Sequence, residues 1–254
     1  MCYFQNIHNW TAIYRHCRIH VMEAHIAVSK ISKYASSESG DTMEMVERPA
    51  GGLSFVLVDG QRSGKSAKAI SNVVARKAIS LLADGVRDGA AARAASDYLY
   101  THRAGKVMAT LNILSIDLQT NSLVIVRNNP APVILIQDSN ITLLDEPVDV
   151  VGIRREIRPS INEIPLTRNL VAIVFTDGLL HAGDRSGQRM DIVQHIKEMM
   201  ADGPPDPVRW ADKLIHDAVK LDQGRPSDDI SVLVVAIVPR QGDDVRQLIV
   251  RVPL

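Results

Sequence analysis

Two buried strands that end in an Asp-Gly pair constrain this 254-residue chain more than any other feature. Residues 55–58 are four apolar residues, two of them β-branched, which is typical of a buried strand, and they stop at Asp59-Gly60. Apolar side chains at helical spacing over residues 65–82 predict a helix directly afterwards. A carboxylate fixed at a strand end, beside a glycine carbonyl, offers two oxygen ligands to a hard divalent cation. An Asp-Gly pair by itself is also typical of a simple turn.

The same pattern recurs further along the chain. A second predicted buried strand, residues 169–175, ends in Thr176-Asp177-Gly178, and Asp228-Asp229 precedes a β-branched strand at residues 230–238. Two hard cations about 3.5–4 Å apart can share a bridging carboxylate, so they need acidic side chains held rigidly from several parts of a chain. The recurrence therefore favours a site for two divalent cations.

The order of the predicted elements indicates the fold class. Strands precede residue 59, and two helices, residues 65–82 and 90–103, follow it. Short strands joined by tight turns over residues 109–144 predict a meander of hairpins. Two more helices, residues 190–199 and 207–221, precede the last strand. Helix pairs inserted between antiparallel strands predict an α+β layered sandwich and disfavour a doubly wound parallel sheet.

The domain prediction divides the chain into an N-terminal extension (1–21), one domain (22–239) and a C-terminal tail (240–254). Within the tail, residues 248–250 could form a small docked strand. In the extension, His8, His16, Cys17 and His20 could bind a metal, but their spacing fits no zinc pattern and favours a loosely packed arm.

Composition disfavours several classes of partner. Lys and Arg number 29 and are balanced by 29 Asp and Glu, so no net field attracts nucleic acid or an acidic membrane surface. Aromatic residues make up only 4% of the chain, which leaves no stacking platform for single-stranded nucleic acid. The sequence shows neither an apolar run of membrane-spanning length nor a signal-peptide core, which predicts a cytoplasmic protein.

Four segments together resemble the metal-dependent type 2C (PPM) protein phosphatases, particularly their SpoIIE-like branch. They are SGD at 39–41, VLVDGQRSG at 56–64, VFTDGLL at 174–180 and SDDISVLVV at 227–235. Residues 108–135 resemble a hairpin segment of the same branch, and the likeness covers roughly residues 22–238. It implies a four-layer α-β-β-α sandwich in which two antiparallel sheets are flanked by helix pairs.

The resemblance also implies a role for each matching residue. Asp59 would bridge two Mn²⁺ or Mg²⁺ ions, and the Gly60 carbonyl would bind the first ion. Asp177 and Asp228 would bind the second. Catalysis would then proceed through a water activated by the two metals, without a covalent phosphoenzyme.

Other positions would support this site less directly. Asp41 would act through bound water, and Asp229 would lie outside the direct ligands or cap its loop. The sequence departs from the family at Gln61, where a histidine is usual, and it has no clear counterpart of the phosphate-binding arginine of eukaryotic relatives. Lys33 and Arg62 are candidates to replace that arginine, although an exposed basic residue is usually only a solvated surface charge.

The function implied is dephosphorylation of phosphoserine or phosphothreonine on regulatory proteins. A stand-alone stressosome phosphatase of the branch, RsbX, also lacks the histidine, which implies a phosphorylated STAS-domain (stressosome or anti-anti-sigma) protein as partner. A phosphatase-like domain that binds a partner with little or no turnover is the first alternative. A P-loop NTPase built on residues 60–66 is a distant one, because the Walker spacing requires glycine where Asp59 stands.

Overall fold

The computed structural model describes residues 22–241 and 245–253. The predicted N-terminal extension, with its candidate histidine and cysteine ligands, lies outside the described residues. Two antiparallel five-stranded sheets form the centre of the fold, which confirms the predicted α+β sandwich. The division into extension, domain and tail stays a prediction.

The first sheet has the strand order β1-β10-β9-β6-β7, and the second has the order β2-β3-β4-β5-β8. The strands are β1 (Met22–Ile31), β2 (Thr42–Glu47), β3 (Gly52–Gly60), β4 (Ala109–Asp117), β5 (Ser122–Asn128), β6 (Val133–Gln137), β7 (Asn140–Leu144), β8 (Ser160–Pro165), β9 (Leu170–Phe175) and β10 (Ile230–Pro239). Every pairing between neighbouring strands is antiparallel.

Helices cover the outer face of each sheet. They are α1 (Gly64–Ala83), α2 (Asp88–Arg103), α3 (Asp177–Leu180), α4 (Ile192–Ala201) and α5 (Pro207–Leu221), with a 3₁₀ turn at Asp184–Ser186. The pair α1 and α2 packs on the second sheet, whereas α4 and α5 pack on the first. The sequence did not predict α3, a single turn that starts at one of the candidate ligands.

Alternating side chains divide the core into three layers. Along β3, Val56 and Val58 pack under the helices, while Phe55 and Leu57 face the first sheet. Strands β9 and β10 alternate in the same way. Since successive side chains of a strand point to opposite faces, Asp59 continues the Phe55–Leu57 face and lies at one end of the core between the sheets.

Two sequence predictions about strands are wrong. The turn at residues 128–132 does not continue a meander, because β5 belongs to the second sheet and β6 to the first. Residues 248–250 form no strand, and their side chains are 72–75% exposed. Both edges of β10 already pair, with β1 and β9, so the tail finds no partner edge there.

Candidate active site

The second sheet contributes two of the candidate carboxylates. Asp59 lies in the last pairs of the β3–β4 ladder, opposite Thr110. Asp41 directly precedes β2, whose first residue, Thr42, pairs with Val58. In an antiparallel register the next positions outward are Asp41 and Asp59, so the two carboxylates lie side by side.

The first sheet contributes the others. Thr176 follows β9 and donates its backbone N–H to the carbonyl of Ser231 on β10 (3.1 Å), which holds Asp177 close to the start of β10. Asp228 precedes that strand, and its Oδ1 accepts the backbone N–H of Asp229 (2.9 Å). Both sheets therefore deliver carboxylates to the same end of the fold.

Glycine is required at both Asp-Gly corners. A Cβ on Gly60 would lie 2.1 Å from the backbone oxygen of Ala67 in α1. A Cβ on Gly178 would lie 2.1 Å from the backbone oxygen of Asp229. The Asp-Gly pairs thus mark places where the backbone packs too closely for any side chain, in addition to ending strands.

Asp41 is completely buried and only partly satisfied. Its Oδ2 accepts hydrogen bonds from the hydroxyls of Ser231 (2.6 Å) and Thr176 (3.0 Å), while its Oδ1 has no hydrogen-bond partner. Burial raises the pKa of Asp41 to about 6, although those hydroxyls and the charge of Lys30 oppose the rise. An unpaired buried carboxylate oxygen is costly unless a donor or a cation reaches it.

Asp59 has the most strongly perturbed pKa of the cluster. Burial, followed by the charges of Asp41, Asp177 and Asp228, raises the pKa of Asp59 to about 9. Burial and the charge of Asp228 also raise the pKa of Asp177, and the nearby His181 partly opposes this. These influences show that the four carboxylates from the two sheets share one electrostatic site.

The chemistry of this cluster fits hard divalent cations. Among the described residues no three His, Cys, Asp or Glu side chains form a group that could hold one ion by themselves. Mg²⁺ in particular is bound through one or two carboxylates and keeps several waters, and the predicted Gly60 ligand would add a carbonyl oxygen. The repulsion among these like-charged carboxylates and the unpaired Oδ1 of Asp41 are features that a cation would relieve.

Asp229 organises the backbone beside the cluster. Its Oδ1 accepts the backbone N–H of Lys33 (2.9 Å), and its Oδ2 accepts that of Gly40 (2.8 Å). Both carboxylate oxygens are therefore used to fix the loop that leads to Asp41. The sequence offered loop capping as one of two interpretations of Asp229, and its role at the site stays a prediction.

The predicted phosphate-binding residues occupy loops around the cluster. The backbone N–H of Lys33 donates to Asp229, beside the cluster, and Arg62 is exposed with a positive φ of 78° in the loop between β3 and α1. Sequence reasoning missed two other lysines. The ammonium groups of Lys30 and Lys68 both donate to the carbonyl oxygen of Asp41, at 2.5 and 2.7 Å.

The turn that crosses between the sheets is also part of the site's support. The side chain of Asn129 is buried, donates to the carbonyl of Phe175 at the end of β9 (3.3 Å) and accepts the backbone N–H of Ala131 (2.9 Å). The sequence marked this turn by family likeness but gave no sign of its partner. The roles of the individual site residues stay predictions.

The family model of stage II sporulation protein E (SpoIIE) matches residues 49–238. The chain belongs to this family. It is 24% identical over 199 residues to stage II sporulation protein E of Bacillus subtilis (strain 168), covering 78% of this chain and 24% of that protein. It is 22% identical over 219 residues to the Priestia megaterium protein, covering 83% of this chain and 36% of that one. The chain thus spans about a quarter to a third of the length of these relatives.

Solved structures share the fold. The phosphatase domain of B. subtilis SpoIIE with a regulatory fragment superposes with a TM-score of 0.75 at 21% identity, covering 87% of this chain and 65% of that one. The catalytic domain of the phosphatase PstP with two manganese ions gives 0.63 at 17% identity, covering 86% and 100%. RsbX with magnesium gives 0.62 at 17% identity, covering 84% and 95%. The predicted four-layer sandwich and the family resemblance are confirmed.

None of the helices among the described residues is long and apolar enough to cross a membrane.

Proposed function

We propose that this chain is a metal-dependent protein phosphatase that hydrolyses phosphoserine and phosphothreonine. The observation that carries the proposal is the convergence of Asp41, Asp59, Asp177 and Asp228 from two sheets on one partly buried, electrostatically unfavourable site. Perturbed carboxylates gathered at one end of a fold are typical of functional sites. Family membership supports the same reading.

The chain's own residues have distinct tasks in this proposal. Asp59, the carbonyl of Gly60, Asp177 and Asp228 would hold two Mn²⁺ or Mg²⁺ ions. Such ions, when bound, neutralise charge on phosphoryl oxygens and lower the pKa of a water nucleophile. Ser231 and Thr176 fix the Asp41 carboxylate, and Lys30 and Lys68 fix its backbone.

The proposed substrate is a phosphorylated STAS-domain regulatory protein. Its support is the likeness to the SpoIIE branch and to RsbX in both motif and fold. Initial rates on a phosphorylated STAS domain, compared with an unrelated phosphoprotein at equal concentration, test this assignment. Equal rates on both would remove the assignment of the substrate and leave the chemistry standing.

Hydrolysis of p-nitrophenyl phosphate and of a phosphothreonine peptide tests the activity itself. The wild-type protein is assayed with Mn²⁺, with Mg²⁺ and with a chelator, beside Asp59→Asn and Asp177→Asn. The proposal predicts metal-dependent turnover that falls at least about a hundredfold in both variants, because each removes charge from the ion site. Folded wild-type protein that binds Mn²⁺ but turns nothing over would instead indicate a partner-binding domain.

A further inference from the structure

Two exposed residues form a platform beside the carboxylate cluster. Tyr34 lies on the loop between β1 and β2, and Arg225 lies on the loop between α5 and β10. The guanidinium carbon of Arg225 is 5.3 Å from the centre of the Tyr34 ring, which is a cation–π contact. Tyr34 remains 56% exposed, and Arg225 is exposed as well. The pair therefore faces solvent.

The loops that carry the platform are held in place from both sides. The backbone N–H of Tyr34 donates to the carbonyl of Pro226 (2.9 Å). The side chain of Asp222 accepts the backbone N–H groups of Ser227 and Gly183, both at 2.8 Å. Asp229 fixes the Tyr34 loop through Lys33. The platform is thus built on a preorganised frame, which lowers the entropy cost of binding.

The free groups of Arg225 define the chemistry of a ligand. The cation–π contact uses none of the guanidinium N–H groups as hydrogen-bond donors, and these groups match a carboxylate with two parallel hydrogen bonds. Within the described part of the chain, Arg225 forms no salt bridge with an acidic side chain. We propose that Arg225, held on the Tyr34 ring, binds the carboxylate of an Asp or Glu residue one to three positions from the phosphorylated residue of the substrate. This inference rests on the proposed phosphatase function.

The distance along the chain limits which substrate residue can be reached. Arg225 precedes Asp228 by three residues, and three residues of extended chain span at most about 11 Å. A substrate residue one to three positions from the phosphorylated side chain lies within the same span. The positive charge of Arg225 can therefore pair with an acidic substrate residue in that span.

Matched phosphothreonine peptides test the inference. One peptide carries Glu at the positions flanking the phosphothreonine, and the other carries Gln at those positions. In the wild-type protein with Mn²⁺, the acidic peptide should have a KM about tenfold below that of the neutral peptide, as expected for one hydrogen-bonded charge pair. Arg225→Gln should abolish this ratio, and Arg225→Lys should restore only part of it. Arg103→Gln, an exposed arginine at the end of α2, is the matched control that should keep it.

Other outcomes have defined meanings. Equal KM values for both peptides in the wild type would overturn the inference, as would an equal loss in Arg225→Gln on both peptides and on p-nitrophenyl phosphate. The second result would place Arg225 on the scissile phosphate itself. If the wild type turns over no substrate, fluorescence anisotropy of the labelled peptides measures their binding and still tests the inference. Tighter binding of the acidic peptide that disappears in Arg225→Gln supports the subsite, and equal binding of both peptides contradicts it.

Discussion

Asp59-Gly60 lies inside the ladder between β3 and β4, whereas Asp177-Gly178 lies beyond the end of β9, at the start of a four-residue helix. Gly60 packs on the backbone of the long helix α1, and Gly178 packs on the backbone of Asp229. The first Asp-Gly pair therefore packs against a long helix of the fold, α1, whereas the second packs against Asp229, a residue beside the site. Damage at the first corner should spread into the fold, and damage at the second should stay in the site.

Alanine at the two glycines tests this contrast with the largest expected effect. Gly60→Ala forces α1 away from β3 and should lower the free energy of unfolding by about 1–3 kcal/mol or more. Gly178→Ala should reduce the stabilisation gained on adding Mn²⁺ more than it reduces the free energy of unfolding without metal, because it displaces Asp229. Urea unfolding with and without Mn²⁺ measures both quantities.

Gly187→Asn is the control for these variants, because Gly187 has open space around it and a positive φ that asparagine tolerates. Identical profiles for Gly60→Ala and Gly178→Ala would remove the distinction between the two corners.

The pH dependence of the metal-free protein should differ between aspartates at the two corners. The pKa of Asp59 is raised to about 9 in the folded state, against an ordinary value near 3.9, so the folded state retains a proton that the unfolded state has lost. The unfolding free energy should therefore fall as the pH rises from about 4 to about 9. Asp59→Asn should flatten this slope and raise the melting temperature at pH 8 by at least about 2 °C.

Asp177→Asn should flatten the slope less, because the pKa of Asp177 is raised by fewer neighbouring carboxylates. Denaturation at pH 5, 7 and 9 in the presence of chelator measures the slopes. A wild-type slope no steeper than that of Asp59→Asn would contradict the electrostatic account of the cluster.

Asp229→Asn tests the segment around Asp229, against which Gly178 packs. Asparagine keeps the shape but can accept only one of the two backbone N–H bonds, from Lys33 and Gly40, without charge assistance. The expected cost is about 1.5–3 kcal/mol. Faster amide exchange at Lys33 and Gly40, with the β3–β4 ladder still protected, would show that the loss is local.

The smallest effect is expected far from both corners. Lys213 and Asp217 form a surface pair on α5, with a Nζ–Oδ2 distance of 2.8 Å. Lys213→Gln should change the free energy of unfolding by no more than about 0.5 kcal/mol, and it should not affect metal binding. A larger change would mean that the stability of this fold responds to the loss of a charge far from the site, which would contradict the contrast between the two Asp-Gly corners.

Much of the fold was visible in local patterns. Helix α5 and strands β2, β4 and β5 have the predicted bounds, because periodicity and turn residues mark them clearly. The crossing at residues 128–132 was missed because a short turn between two strands does not reveal which sheet the second strand joins. Strand β6 pairs with β9, and Asn129 contacts Phe175 at the end of β9, so the partners that place β6 in the first sheet include residues distant in sequence.

In the site, too, some residues could be predicted from local sequence and others could not. Asp59, Asp177 and Asp228 could be proposed from strand ends and from an ordered family likeness. The partners of Asp41 could not, because Lys30, Lys68, Thr176 and Ser231 meet it only through tertiary packing, and a lone lysine or hydroxyl residue carries no signal.

Calorimetric titration of Mn²⁺ at pH 8 in two buffers of different ionisation enthalpy tests whether the carboxylates of the two sheets form one cation site. The wild-type protein should bind Mn²⁺ and release about one proton, because Asp59, with a pKa of about 9, must deprotonate. Binding should be lost or strongly weakened in Asp59→Asn. Absence of binding in folded wild-type protein, or undiminished binding in Asp59→Asn, would contradict the account.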